Sequence, residues 1–353
     1  MKPFNKEIKI GNRLIGKGHP AYIIAEIGAN FDNDIDKAKR LIDAAKEAGA
    51  DCAKFQSFLS DRIVSGKGFA SMTLKGVHGT WGRGVDEVFR DAEFPRAWHK
   101  ELADYCNKTE IHFSSSPYDF EAVDLCVAVG APYIKIGSGD ITWLEMLEYI
   151  AKTGKPLFLA TGDATMAEID EAVRTIQGAG CNDLVLMQCI TNYPSLVESA
   201  NINVLRNYKK SFDILTGYSD HSPGSVVVLG SIALGACVIE KHFTLDKKDK
   251  GPDHNHSMDM EEFTKMVKDI HLLESAMGST QKFVVEEESE TVIVQRRGLY
   301  AKRDIKAGDT IQLEDIDVLR PALGIPPKFR NIIAGKKAVK DIDKGMPIYW
   351  ESI

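Results

Sequence analysis

Two lysines, Lys54 and Lys135, lie within short runs of apolar residues that predict buried strands. An ammonium group without a partner is costly to bury, so a lysine that points into the core needs an anion beside it. With the hydroxyl groups of Ser116, Ser138 and Thr161, from consecutive strands, they would form a cradle for a small anion that carries phosphate and carboxylate. Alternatively, each lysine pairs with a nearby carboxylate as a structural ion pair, or extends to the helix layer with its charged end in water.

Two histidines, His221 and His242, end neighbouring predicted strands, which would bring their imidazoles within reach of one ion. Two imidazoles with carboxylates or waters suit Mn²⁺, Zn²⁺ or Fe²⁺, and a hydrogen-bonded structural role is the alternative for each ring. On the loop that follows, His254 and His256 would either supply a further ligand or only line the mouth of the site. Asp253, beside them, is predicted to contact substrate.

The elements that must position these residues alternate along the chain. Runs rich in Ile, Val, Phe and Tyr predict strands, and segments whose apolar residues recur every three to four positions predict helices. The predicted strands are Tyr22–Asn30, Cys52–Ser57, His112–Pro117, Tyr133–Gly139, Pro156–Gly162, Leu184–Cys189, Asp213–Asp220 and Val238–Thr244. The predicted helices that follow them are Ile35–Ala48, Arg96–Cys106, Phe120–Val129, Trp143–Thr153, Met166–Gly178, Asn201–Tyr208, Ser225–Leu234 and Met260–Met277. Capping-box spacing supports two of the helix starts, in Thr142 with Glu145 and in Thr165 with Glu168.

Eight strand–helix units with continuous apolar strands predict an α/β fold in which a parallel sheet closes into a (β/α)8 TIM barrel. An open doubly wound sheet is the alternative, but no G-x-G-x-x-G follows the first strand. In such barrels the active site lies at the carboxyl ends of the strands. The polar residues that end the predicted strands are Glu26, Asn30, Lys54, Gln56, Ser114, Ser115, Ser116, Lys135, Ser138, Asp140, Thr161, Gln188, Thr191, Asn192, Ser219, Asp220, His221, Glu240, Lys241 and His242.

The alternation stops after Met277, so 1–277 is the predicted catalytic domain. Residues 278–290 are polar and acidic, as a linker would be. The segment 291–353 predicts a small, mostly β second domain, which is marginal alone and needs a packing surface. Its β-like stretches are Val292–Val294, Leu299–Ala301 and Lys337–Val339.

The composition is that of an ordinary globular protein, since 44% of the 353 residues are hydrophobic and 27% are charged. The net charge is −7 and no block of like charge stands out, which argues against nucleic-acid or anionic-membrane partners. Six scattered cysteines without a C-x-x-C pair predict reduced thiols. No signal peptide or transmembrane run is evident, and we expect a cytoplasmic protein.

Two further features of the sequence are a long loop and a cysteine at a strand end. The long loop after the second predicted strand contains the segment 78–84, which predicts either a lid over the mouth or only an insertion. Cys189 ends the sixth predicted strand. We expect no histidine beside it to form a thiolate, which disfavours a nucleophilic role.

Nine short motifs occur in order along the predicted barrel. They are Ala25-Glu26-Ile27-Gly28-x-Asn30, Lys54-x-Gln56, Ser116-Pro117, Lys135-Ile136-Gly137-Ser138-Gly139, Ala160-Thr161-Gly162, Tyr193-Pro194, Gly217-Tyr218-Ser219-Asp220-His221, Ile239-Glu240-Lys241-His242-Phe243-Thr244 and Gly251-Pro252-Asp253. Together they resemble the sialic acid synthase family, whose members make N-acetylneuraminate, pseudaminate or legionaminate. The tail, with Arg303-Asp304-Ile305-Lys306-Ala307-Gly308 and Arg320-Pro321, resembles that family's antifreeze-like (SAF) domain.

The resemblance implies a metal-dependent condensation of phosphoenolpyruvate with the open-chain aldehyde of an N-acyl amino sugar. The products are a 3-deoxy-2-keto nonulosonic acid and phosphate, released by carbon–oxygen cleavage. The implied ion is divalent, usually Mn²⁺, with Mg²⁺ or Co²⁺ as alternatives, and its implied ligands are His221 and His242. The ion would polarise the aldehyde, and Glu26 would position or deprotonate the attacking water or a sugar hydroxyl.

The resemblance also implies which residues bind the two substrates. Phosphoenolpyruvate would be held by Lys54, Ser116, Lys135, Ser138 and Ser219. The sugar would be contacted by Gln56, Tyr193, Asp253 and, from the small domain of a partner chain, Arg320, which implies a domain-swapped homodimer. Thr161 and Thr191 complete the predicted substrate-binding set.

Three positions depart from the family's pattern. Phe31 stands where a histidine is usual, which would remove a hydrogen-bond donor near the mouth. Ala160 replaces a serine, and Thr191 stands where Ser or Asn is frequent. The departures point to an unusual acceptor sugar. The alternatives are another phosphoenolpyruvate-dependent sugar-acid synthase or a barrel aldolase, and a sugar-binding homologue that has lost turnover.

Overall fold

A computed structural model describes residues 3–74, 79 and 81–353. These residues form two compact units, which divide in the sequence after Gly278. The strands of the first unit are β1 (Glu7–Ile10), β2 (Arg13–Gly16), β3 (Tyr22–Gly28), β4 (Cys52–Ser57), β5 (His112–Pro117), β6 (Ile134–Ile136), β7 (Leu157–Ala160), β8 (Leu184–Cys189), β9 (Leu215–Asp220) and β10 (Val238–His242). Its helices are α1 (Ile35–Glu47), α2 (Ser60–Ile63), α3 (Gly66–Ala70), α4 (Val85–Asp91), α5 (Trp98–Lys108), α6 (Phe120–Ala128), α7 (Leu144–Ala151), α8 (Met166–Gly178), α9 (Val204–Phe212), α10 (Val226–Ala233) and α11 (Met260–Met277).

Strands β3 to β10 form one parallel sheet in the order β5-β4-β3-β10-β9-β8-β7-β6. The first and last barrel strands pair, with Ala25 opposite Lys241. The two end strands approach each other where the Ser114 hydroxyl donates to the carbonyl of Tyr133 at 3.1 Å. Both faces of the sheet are buried, which is why its strands read as continuous apolar runs. The predicted barrel is therefore confirmed as a nearly closed ring of eight strands.

Most predicted elements agree with the structure to within a few residues, and one difference matters for the site. The fourth barrel strand ends at Ile136, because the chain turns into a 3-10 helix over Ser138–Asp140 at the mouth. The capping box of Thr165 with Glu168 is confirmed. The one predicted for Thr142 is wrong, since α7 begins after Trp143 without a side-chain cap.

A hairpin that the sequence analysis did not predict closes the amino end of the barrel. Strands β1 and β2 pair antiparallel, and Ile8, Ile10 and Ile15 are fully buried against the first residues of the barrel strands, including Tyr22 and Val238. Burial of each isoleucine stabilises the fold by about 1.5–3 kcal/mol. The carboxyl end of the barrel carries no such hairpin in the described part of the chain, and it is the face on which active sites form in this fold.

The described part of the long connection from β4 to α5 carries the short helices α2, α3 and α4. Part of the predicted lid segment, including His78 and Thr80, lies outside the described residues. Trp81 and Arg83 are described and line cavities beside the mouth. The lid role stays a prediction.

The second unit is a mixed α/β structure with a small core. Its elements are α12 (Ser289–Gln295), β11 (Gly298–Ala301), β12 (Ile316–Leu319) and α13 (Arg330–Ile333). The prediction of a β-like stretch at Val292–Val294 is wrong, because these residues lie in α12. In the predicted stretch Lys337–Val339, Lys337 forms an isolated bridge with Thr310.

Within the described ranges, no helix is both long and apolar enough to cross a lipid bilayer. All six cysteines are buried and free of disulfide bonds. Burial raises the pKa of the Cys52 and Cys126 thiols to about 12, so these two are unreactive at neutral pH.

Candidate active site

Two lysines and two glutamates meet inside the carboxyl end of the barrel. Lys54 Nζ lies 2.5 Å from Glu26 Oε2 and 3.7 Å from Glu240 Oε1. Lys135 Nζ lies 2.8 Å from the same Glu240 oxygen. All four side chains are at least 94% buried. We call Glu26, Lys54, Lys135 and Glu240 the lysine–carboxylate cluster. The pairing with carboxylates that the sequence left open is thus present, and the lysines point into the barrel rather than to the helix layer.

Alternation along the strands explains which residues join this cluster. In β10, Glu240 and His242 face the interior, whereas Lys241 faces outward and pairs with Asp220 at 2.6 Å. Lys54, Lys135 and Glu240 come from β4, β6 and β10, alternate strands of the ring, as one inward-facing layer of a barrel requires.

The two carboxyl groups of the cluster differ in the direction of their pKa shifts. Burial by itself would raise the pKa of Glu240, but Lys135 and Lys54 lower it to about 2. For Glu26, burial outweighs Lys54 and raises the pKa of the carboxyl above its usual range. Burial also opposes the charge on Lys54, yet Glu240 and Glu26 raise the pKa of that ammonium group. Glu26 is therefore the member that accepts a proton most easily, as a general acid or base must.

Three predicted substrate-binding residues contact the cluster directly. Lys54 donates to Ser116 Oγ at 3.0 Å. Ser219 donates to Glu240 Oε1 at 3.1 Å, and the Gln56 amide donates to Glu26 Oε1 at 2.7 Å. The structure therefore brings Gln56, Ser116 and Ser219 to the lysine–carboxylate cluster at the strand ends.

The two histidines lie beside the cluster, together with Tyr193. The ring centroids of His221 and His242 are 5.4 Å apart, and Tyr193 packs 4.1 Å from His221 and 5.9 Å from His242. His242 is opposite Glu26 in the pairing of β10 with β3. The loop after β10 adds Asp253 and His256. We call His221, His242, Asp253 and His256 the imidazole group.

The donors of the imidazole group fit a divalent transition metal. Ligand atoms of His242, Asp253 and His256 lie within 4.8 Å of one another. His221 is not in this set, and its ring centroid lies 5.4 Å from that of His242. Burial lowers the pKa of His242 well below its usual range, with His256 and His221 adding to the effect, so the ring is neutral and keeps a free lone pair. Its Nδ1 is buried without a hydrogen-bond partner among the described residues. Neutral imidazoles beside a carboxylate suit Mn²⁺, Co²⁺, Fe²⁺ or Zn²⁺.

A second group of possible ligands, Asp32, Asp249 and His254, lies outside the mouth. There Lys37 forms ion pairs with both aspartates, and His254 Nε2 lies 2.9 Å from Asp32 Oδ1. Because the ammonium group already supplies the positive charge, this cluster is a structural network. His254 therefore belongs to the support of the loop.

Ser138 and Thr191 lie around Gly162 at the mouth. Gly162 N donates to Ser138 Oγ at 3.0 Å, and a Cβ on Gly162 would lie 2.2 Å from Thr191 Oγ1. The Thr191 hydroxyl is buried without a hydrogen-bond partner in the described part of the chain. Thr161 is not brought to this place, because its hydroxyl lies 3.0 Å from the carbonyl of Met187 and 2.9 Å from Tyr208 of α9. Thr161 thus connects the barrel to its helix layer.

A cavity of about 340 Å³ opens onto these groups. Its polar lining includes Gln56, Ser138, Thr191, Tyr193, His242 and Asp253, and its apolar lining includes Phe58, Ile63, Trp81 and Phe89. A larger cavity of about 700 Å³ lies at the amino end of the barrel. The cations around that one are already paired, Arg13 with Asp51 and Lys46 with the carbonyl of Glu110, so we place the site at the smaller cavity.

Besides Thr161, two expectations about individual residues are wrong. Phe31 does not reach the mouth: it is buried among Phe55, Phe94 and Trp98 in the helix layer, so it removes no hydrogen-bond donor from the site. Cys189 does have a histidine beside it, since its Sγ lies 3.8 Å from His221 Nδ1. That nitrogen is also 2.8 Å from the carbonyl of Ile190.

Arg320, the predicted sugar ligand from a partner chain, follows β12 in the second unit and is exposed there.

The residue that the sequence analysis left without a role is Glu240, the partner of both lysines. The sequence could have revealed this role, because Glu240 lies two residues before His242 and therefore faces the same side of the strand.

Comparisons with known proteins agree with this architecture. The NeuB family model matches residues 41–282, and the SAF domain model matches residues 296–353. An N,N'-diacetyllegionaminic acid synthase of Campylobacter jejuni is 38% identical, covering 90% of this chain and 96% of the relative. The N-acetylneuraminate-9-phosphate synthase of Mus musculus is 36% identical over 97% and 95% of the two chains. The crystal structure of an N-acetylneuraminic acid synthetase from Leptospira borgpetersenii superposes with a TM-score of 0.72 and 29% identity, covering 83% and 97% of the chains.

The predicted family resemblance is confirmed by these matches. The NeuB match contains most of the barrel, and the SAF match contains most of the second unit. The chain belongs to the NeuB family of sialic acid synthases and carries a C-terminal SAF domain.

Proposed function

We propose that this protein condenses phosphoenolpyruvate with the open-chain aldehyde of an N-acyl amino sugar, giving a 3-deoxy-2-keto nonulosonic acid and phosphate. One observation carries the proposal: the lysine–carboxylate cluster and the imidazole group lie side by side at one barrel mouth, with His242 opposite Glu26 on neighbouring strands. The first group suits an enol phosphate and the second suits a divalent ion. The legionaminic and neuraminic acid synthases named above support this reaction class.

Lys54 and Lys135 would hold the phosphate and carboxylate of phosphoenolpyruvate, with Ser116, Ser138 and Ser219 as hydroxyl donors. In the free enzyme the two ammonium groups are balanced by Glu26 and Glu240. An incoming dianion therefore adds negative charge to a neutral cluster.

The proposed metal ligands are His221 and His242, and Mn²⁺ is the proposed ion, with Mg²⁺ or Co²⁺ as alternatives. When bound, such an ion supplies Lewis acidity for the aldehyde carbonyl and positive charge beside the enol phosphate. Glu26 would position or deprotonate the attacking water or a sugar hydroxyl. The Gln56 amide donates to its Oε1 at 2.7 Å and so fixes the orientation of the carboxylate.

The acceptor sugar would occupy the cavity of about 340 Å³. Gln56, Tyr193, Thr191 and Asp253 present polar groups to it. The rest of the lining includes apolar side chains, which suits a sugar that carries N-acyl or deoxy carbons rather than one with hydroxyl groups all round.

The reaction is tested with phosphoenolpyruvate that carries ¹⁸O in the bridging position, Mn²⁺ and a panel of N-acyl hexosamines. We expect mass spectrometry to find a keto acid three carbons longer than the acceptor and ¹⁸O in the released phosphate, because the carbon–oxygen bond breaks. Phosphate released without acceptor, or ¹⁸O retained by the organic product, would contradict the proposal. A panel without any product would favour the sugar-binding homologue.

We further propose that Arg320 reaches the N-acyl group of the sugar bound by a partner chain, in a domain-swapped homodimer. Arg320→Ala is expected to raise the KM of the acceptor about tenfold or more, because a charge-assisted hydrogen bond is worth about 1.5–3 kcal/mol. The KM of phosphoenolpyruvate should change little. Steady-state kinetics with each substrate varied checks this, and Arg296→Ala, in the same domain, is the control. Equal effects on both KM values would count against the swapped arrangement.

A further inference from the structure

A third histidine lies in the imidazole group, and the proposed reaction gives it no task. His256 ends the 3-10 turn His254–His256, and its side chain is 2% exposed. Its ring centroid is 4.7 Å from that of His242. Nδ1 of His256 lies 3.2 Å from Asn255 Oδ1 and can donate to it, so Nε2 keeps its lone pair. That Nε2 is buried without a hydrogen-bond partner among the described residues.

Asp253 lies between the two rings. Its Oδ1 is 3.9 Å from His256 Nε2, and its Oδ2 is 4.0 Å from His242 Nδ1. These separations are too long for hydrogen bonds. Two ligands that each lie about 2.0–2.2 Å from one ion are about 3.5 Å apart in a tetrahedral site. Each of these two carboxylate–imidazole separations would therefore have to shorten by roughly half an ångström for one ion to bind Asp253 and both rings.

The loop that carries Asp253 and His256 is held firmly. Ala29 N donates to Asp253 Oδ2 at 3.0 Å, and Ser257 Oγ donates to the Asp253 carbonyl at 2.7 Å. The fully buried Asn30 donates in turn to Ser257 Oγ at 2.9 Å. Such supporting hydrogen bonds orient metal ligands in proteins. Here they fix the Asp253 carboxylate near His242 and hold the backbone at Asp253 and Ser257, on either side of His256.

We propose that His256 is a ligand of the divalent ion together with His221, His242 and Asp253, so that three imidazoles rather than two bind it. The inference rests on the metal dependence of the proposed function. A third nitrogen ligand favours Co²⁺ and Zn²⁺ over Mn²⁺, whose preferred ligands are oxygen atoms.

The test compares metal-free wild type, His256→Gln and the matched control His271→Gln, which removes an exposed imidazole on α11. X-ray absorption of the Zn²⁺-loaded wild type should count three imidazoles, and His256→Gln should count two. Competition with a chromophoric chelator should show Zn²⁺ and Co²⁺ affinity lowered about 10- to 100-fold or more in His256→Gln, since even supporting partners of metal ligands cost that much. Mn²⁺ affinity should fall less.

Two imidazoles in the wild type would overturn the proposal, as would Zn²⁺ affinity in His256→Gln equal to that of His271→Gln. If His256→Gln does not fold, the wild-type imidazole count decides. Metal-dependent product formation with only two imidazoles would overturn this inference and leave the proposed function intact, whereas a wild type that binds no divalent ion would overturn both.

Discussion

His242→Ala is expected to abolish turnover stimulated by divalent metal while the barrel still unfolds cooperatively. The His242 side chain is 6% exposed, lies beside the other members of the imidazole group, and is opposite Glu26 on the neighbouring strand. Loss of a metal ligand removes several kcal/mol of transition-state stabilisation, and about 3–4 kcal/mol corresponds to a 10²- to 10³-fold lower kcat. Because the imidazole is neutral, its removal leaves no unpaired buried charge. Initial rates at saturating Mn²⁺, with thermal unfolding of the metal-free protein, check both halves of the expectation.

His271→Ala is the control for the loss of a histidine at a distance, since this residue is exposed on α11. It should keep wild-type rates. Unchanged metal-stimulated activity in His242→Ala would remove the imidazole group from the reaction. Loss of cooperative unfolding would show instead that the ring is part of the core.

The barrel was predictable because its strands and helices have different periodicities, and Cys52–Ser57 and Met166–Gly178 were placed to the residue. The amino-terminal hairpin was missed although it had a signal. Ile8 and Ile10 alternate with polar residues, and Gly11-Asn12 is a two-residue turn of the type that joins hairpin strands. The strands are only four residues each, too short to stand out against eight longer units.

The site was predictable as far as strand ends reveal it. Lys54, Lys135 and His242 were placed at the mouth because parallel strands all end on one face. The link between Lys135 and Glu240 crosses the barrel between residues 105 apart in sequence, and no local pattern predicts such a contact. Phe31 shows the opposite error, since a position that differs from a family motif was assumed to face the site when the chain had already turned into the helix layer.

Lys54→Met is expected to have the largest combined effect on stability and activity. The change removes the cation from between Glu26 and Glu240 and leaves buried carboxylates under-compensated, which costs about 3–5 kcal/mol. Turnover should fall with it, because the substrate anion loses one of its two ammonium partners. Urea unfolding and the KM of phosphoenolpyruvate measure the two effects.

The pH dependence of this loss has a definite sign. Burial raises the folded-state pKa of Glu26 even beside Lys54, and without the lysine it rises further. When the pKa of a carboxyl group is higher in the folded protein than in the unfolded protein, the folded protein loses stability as pH rises through the folded-state pKa. The stability deficit of Lys54→Met should therefore be smaller at about pH 5 than at about pH 8.

A double variant separates the two roles of Lys54. Glu26→Gln with Lys54→Met removes the ion pair as a whole and should recover much of the stability but none of the activity.

Lys241→Met is the matched control, because Lys241 forms an equally buried pair with Asp220 at 2.6 Å on the outward face of the barrel. It should lose comparable stability, whereas kcat/KM per folded molecule should fall far less than in Lys54→Met. If Lys54→Met kept the wild-type KM for phosphoenolpyruvate and its turnover, the lysine–carboxylate cluster would be structural, and the anion would have to bind elsewhere.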